Sequence, residues 1–80
     1  MKAEKLVKMA NGIAAFFDAE PDRAIALEAI AGHLKRFWDP RMRKEILRWV
    51  DEHAGEGMTD SVRAAITTHR DTLTGGLGGT

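Results

Sequence analysis

Histidine, serine, paired carboxylates and arginine are the side chains in this sequence with chemistry to offer. His53 and His69 fall on the inward stripes of two predicted helices, so they could approach each other if those helices pair antiparallel. Two imidazoles do not make a metal site, and no HExxH or carboxylate–histidine spacing accompanies them. His33 lies at the edge of its stripe and reads as a boundary residue. Ser61 is the only serine. It sits at a helix start, where serines commonly cap, with no Gly-x-Ser-x-Gly elbow around it. Asp51 and Glu52 are adjacent in sequence and diverge on a helix. No glycine-rich loop precedes a helix in a phosphate-binding pattern. The chain has no cysteine, which excludes disulfides, thiolate zinc sites and iron–sulfur clusters. These residues point to no catalytic group, no metal and no cofactor held by this chain.

What remains is a basic stretch around one sharp corner. Net charge is zero overall, so no global field draws in nucleic acid or membrane. Residues 35–48, however, carry six basic groups (Lys35, Arg36, Arg41, Arg43, Lys44, Arg48) against Asp39 and Glu45. Such a patch has three readings. It can be a solvated helix face. It can be an arginine-rich surface for an acidic partner or a phosphate-bearing cofactor, since arginine binds both bidentately. It can be the reading helix of a helix-turn-helix protein, which calls for more positive charge than a neutral domain offers.

The elements that position this patch follow from period and punctuation. A first helix is predicted from about Ala3 to Asp18, with Leu6, Met9, Ala10, Ile13, Phe16 and Phe17 on one stripe. Gly12 lies mid-helix, either as a tolerated loss of about 1 kcal/mol or as a point of close helix approach. Asn11 points to the far side. A second helix starts at Pro21 and runs to about Phe37, burying Ala24, Leu27, Ile30, Ala31, Leu34, Phe37 and Trp38. Ile25 and Ala29 lie off that face, so this helix is central or Ile25 marks a subunit contact. Asp39-Pro40 ends one helix and starts the next. Proline pushes the residue before it out of the α region, suits the first helical position, and follows a strong N-cap. The N3 residue is Met42, so there is no capping box. Phe37 and Trp38 sit at the corner, where large rings can pin the two helices.

The third helix is predicted from Pro40 to about His53. Met42, Ile46, Trp49, Val50 and His53 face inward, Arg41, Lys44 and Arg48 face outward, and Arg43 and Leu47 lie on the border. Gly55 is the expected left-handed residue closing it. Thr59 or Asp60 caps a fourth helix to about Thr72, with Val62, Ala65, Ile66, His69 and Leu73 inward. No period-2 run appears, so no strand is predicted. The expectation is a compact four-helix, all-α domain over residues 1–74 and a disordered glycine-rich tail over residues 75–80. A chain of 80 residues buries only about 60% of its unfolded surface, so its core is marginal without a partner. No apolar run approaches a membrane span, Met1 to Ala10 carries no signal-peptide pattern, and the lack of cysteine fits a cytoplasmic setting.

Two blocks carry a resemblance. Lys5-Leu6-Val7-Lys8-Met9-Ala10-Asn11-Gly12-Ile13 is followed by Phe16-Phe17, and Ala29 to Arg43 contains Phe-Trp-Asp-Pro-Arg-Met-Arg. At this separation they resemble the delta subunit family of NAD-dependent, molybdenum-containing formate dehydrogenases, over about residues 4–70. Family members commonly carry glutamine where this chain has Gly12. The resemblance implies a small non-catalytic subunit of a cytoplasmic complex. The catalytic (alpha) subunit of that complex would carry bis-molybdopterin guanine dinucleotide and iron–sulfur clusters, and other partners FMN and the NAD site. It implies a role in assembly, molybdenum cofactor insertion or stability, and it brings no catalytic residues to carry over. The expected contact surface is Trp38, Arg41, Arg43, Lys44 and Arg48. The alternatives are a small regulatory module that binds nucleic acid and a handling protein for guanine nucleotide or the molybdenum cofactor.

Overall fold

The starts of three helices are set by short polar residues, Asp22, Asp39 and Thr59, whose side chains accept hydrogen bonds from first-turn amides. The computed structural model describes residues 2–75. It contains α1 (Ala3–Phe17), α2 (Arg23–Phe37), α3 (Pro40–His53), α4 (Asp60–Thr68) and α5 (Arg70–Thr74), and no strand among the described residues. α2 begins at Asp22, whose carboxylate accepts hydrogen bonds from the Ala24 and Ile25 amides at 3.0 and 3.3 Å. Pro21 therefore lies outside the helix it was expected to start. Asp39 accepts from the Met42 amide at 3.0 Å and Pro40 is the first residue of α3, as the sequence predicts. Thr59 caps α4 through the Val62 amide. The expected fourth helix divides at His69 into α4 and α5.

α2 is the central helix. It packs against α1, α4 and α5, while α3 closes the fold against α1 and α5. Leu6, Ile30, Leu34, Ile46, Val62, Ile66 and Leu73 are fully buried and form the centre of the core. Each such side chain contributes roughly 1.5–3 kcal/mol relative to exposure.

Two faces differ from their expected phase. In α1 the buried residues are Ala3, Leu6, Val7, Ala10 and Ala14. Ile13 and Phe17 pack at the edge, and Phe16 is 69% exposed. Three alanines on the inner face allow close helix approach, and turning that face inward carries Met9 and Phe16 outward. In α2, Ala26 replaces Ala24 on the buried face, and Phe37 is 67% exposed while Trp38 is buried.

The α3–α4 connection is the most tightly held loop. Ala54, Gly55 and Gly57 all have positive φ, so the left-handed residue directly after α3 is Ala54, with Gly55 following it. An alanine there costs about 1 kcal/mol or more. Side-chain hydrogen bonds offset it. Trp49 Nε1 donates to Glu56 O at 2.8 Å. Arg63 donates to the carbonyls of Ala54, Gly55 and Met58. Asn11 donates to Gly57 O and accepts from the Thr59 amide, both at 3.0 Å. Asn11 thus joins α1 to this loop and does not face away from the fold. Ser61 likewise does not cap its helix: its hydroxyl donates to Asp18 at 2.6 Å, tying α4 to the end of α1. Gly75, expected in the tail, donates its amide to Asp71 O, and residues 76–80 of that predicted tail lie outside the described residues.

Candidate functional site

The expected contact surface divides into an inside and an outside. Trp38 follows the last residue of α2, is only 5% exposed and belongs to the core with Leu34, Ile46 and Leu47. Arg43 is 6% exposed. Its Nε donates to Trp38 O at 3.2 Å, and its Nη1 to Leu73 O and Gly75 O, both at 3.1 Å. Lys35 Nζ also donates to Gly75 O. One guanidinium thus joins the end of α2 to the end of α5 through carbonyl oxygens, which keeps the cation hydrogen-bonded in a buried place. Trp38 is buried as its stripe predicts, and neither Trp38 nor Arg43, both expected in the contact surface, is exposed in the folded chain. The α2–α3 corner turns both inward, and an arginine on the border of an amphipathic helix reaches the nearest unpaired carbonyls.

Arg41, Lys44 and Arg48 remain exposed on the outer face of α3. Arg48 pairs with Glu52 at 3.0 Å, and that hydrogen bond raises the guanidinium pKa above its ordinary value. Between α5 and α3, Arg70 makes a bidentate pair with Asp51 at 3.0 and 2.7 Å, which raises the Arg70 pKa in the same way.

A second surface lies on α1 and α2. Phe16 and Phe17 pack edge to face with centroids 5.2 Å apart. His33 continues the row 6.0 Å from Phe17 and 4.7 Å from Phe37. A half-open groove of about 710 Å³ runs along α2 past Ile25, Gly32, His33, Arg36 and Phe37, with Phe17 from α1 and His69 from the α4–α5 junction. A second hollow of about 630 Å³, lined by Met9, Gly12, Ile13 and Phe16, shares Phe17 and His33 with the first. The sequence reading placed Met9, Phe16 and Phe37 in core stripes. A partial signal is present: neighbours on a helix diverge by about 100°, so a pair of adjacent rings such as Phe16-Phe17 sets one of them at the edge of the buried face or beyond it.

The histidines serve different places. His53 is exposed and stacks on Trp49 at 4.2 Å, His33 stacks in the aromatic row, and His69 lines the groove. Among the described residues no three His, Cys, Asp or Glu side chains gather as a metal site requires, and no helix is long and apolar enough to cross a membrane.

A small all-α module with two contrasting outer surfaces, one cationic and one aromatic, is the class of protein that this architecture defines. The chain belongs to the NADH-dependent formate dehydrogenase delta subunit family, FdsD, whose family model matches residues 5–66. The match contains α2 and α3 and most of α1 and α4, and with them both blocks on which the resemblance rests. No curated protein and no solved structure matches the chain.

Proposed function

We propose that this chain is a non-catalytic accessory subunit. It binds the molybdenum-containing catalytic subunit of formate dehydrogenase and supports its assembly, cofactor insertion or stability in the cytoplasm. The observation that carries the reading is membership in the delta subunit family across residues 5–66. The marginal core of so short a chain and its exposed cationic and aromatic surfaces support it. Bis-molybdopterin guanine dinucleotide, iron–sulfur clusters, FMN and NAD belong, in this reading, to the partner subunits.

Arg41, Lys44 and Arg48 are retained as the cationic contact surface. Trp38 and Arg43 act on it from within, by holding the α2–α3 corner that sets the direction of α3. The mechanism is linkage: a subunit that binds one conformation of its partner stabilises that conformation by mass action. The test is to purify the catalytic subunit from cells with and without this chain and to measure molybdenum content and formate oxidation. Both are expected to fall without the chain. Equal molybdenum and equal activity would reject the assembly role.

A further inference from the structure

The aromatic face of α1 and α2 touches the core only through Ile13 and Phe17 at its edge. Among the described residues, all four large apolar side chains that stand exposed, Met9, Phe16, Ile25 and Phe37, line the two hollows. Phe17 and His33 line both, so the hollows form one continuous surface. Single exposed apolar residues are ordinary, but a contiguous patch with a polar rim marks an interaction surface.

Its shape and charge restrict the occupant. From Ile25 to Phe37 the floor extends along α2 for roughly 18 Å at 1.5 Å per residue, about three helical turns. A Cβ built on Gly12 or on Gly32 meets nothing within 4 Å, so nothing in the fold fills the space above either glycine. A ridge of side chains on a partner helix can therefore approach this backbone closely. Arg36 stands at one end of the floor beside Lys35, in the last turn of α2, and makes no side-chain ion pair among the described residues, while Glu28 lines the same groove nearer its other end. An apolar ridge carrying a carboxylate level with Arg36 complements this rim. A second copy of the chain fits less well. A two-fold contact places a patch against itself, and two facing grooves enclose a void.

We infer that this groove docks an amphipathic α-helix of another formate dehydrogenase subunit, its apolar ridge seated between Phe16 and Phe37 and its carboxylate paired with Arg36. The partner's identity rests on the proposed function. The location and chemistry of the surface rest on the groove itself.

The test uses the full chain expressed together with the formate dehydrogenase subunits. Phe16→Ser/Phe37→Ser is expected to lower its recovery with the complex by about tenfold or more, and Arg36→Glu by several-fold. Circular dichroism of the isolated variants checks that these exposed positions leave the helices intact. A photo-crosslinking residue at position 37 is expected to label one acid-bearing helical segment of a partner subunit. If wild type is recovered with the complex and the double serine variant is recovered equally, the docking groove is overturned while the proposed function stands. Labelling only of a second copy of the chain overturns the heterologous partner. Failure of wild type itself to copurify with any formate dehydrogenase subunit overturns the proposed function.

Discussion

The outer face of α3 and the aromatic face of α1 and α2 are both open to solvent, yet the fold arrived at them by opposite routes. The α3 face is conspicuous as charge, but its most constrained cation, Arg43, is withdrawn to hold the ends of α2 and α5. What stays outside is a stripe of ordinary surface cations, one already paired with Glu52. The aromatic face is inconspicuous in the sequence, since its members look like core residues, and the fold nonetheless leaves them outside. The difference teaches that residue type indicates what a side chain can bind, while helix phase decides whether it is available to bind.

The comparison breaks first at Arg43. Replacing it with alanine leaves the Trp38 and Leu73 carbonyls without their donor, takes one of two donors from Gly75 O, and should destabilise the chain by about 3 kcal/mol. Arg41→Ala should leave the urea midpoint where it was. Equal midpoints for the two variants would remove the distinction between an inner and an outer arginine. Asn11→Ala comes next. It removes both bonds between α1 and the α3–α4 loop, and about 1–2 kcal/mol of stability should go with them. Asn11→Asp keeps the acceptor for the Thr59 amide but sets a carboxylate against Gly57 O. It should not restore wild-type stability in the same unfolding experiment.

Much of the architecture was legible because it is punctuated. Asp39-Pro40 fixes a helix start by sterics and capping, and both bounds of α3 fell where expected. What could not be read depends on long-range partners. The break at His69 follows Thr67-Thr68, a weak helical pair, but whether a weak pair breaks depends on what the next turn can bury, here Leu73. Asn11 and Ser61 find their partners 46 and 43 residues away, which no local pattern encodes. The phase of α1 is ambiguous in the sequence because Met9, Phe16 and Phe17 dominate the apolar stripe, whereas the small Ala3 and Ala14, with Ala10, are the ones suited to a close neighbour. At the candidate site the same ambiguity placed Phe16 and Phe37 inside, and the border position of Arg43 left it outside.

Smaller effects sharpen the contrast. Arg70→Ala removes the bidentate pair with Asp51 that joins α5 to α3. Both side chains are about half exposed, so after solvent screening the loss should be about 0.5 kcal/mol and should shrink in high salt.

The smallest effect is expected at Arg48. Its bond to Glu52 raises its pKa, but the pair is widely exposed and runs in the less favourable order, with the base N-terminal to the acid. Arg48→Ala should therefore leave the unfolding midpoint unchanged. Its consequence should appear only in association with the catalytic subunit, as slower binding at low ionic strength that converges with wild type at high salt. A lowered midpoint would instead make Arg48 part of the scaffold, as Arg43 is. The aromatic groove would then be the only surface of the two whose exposed side chains are free of a structural task.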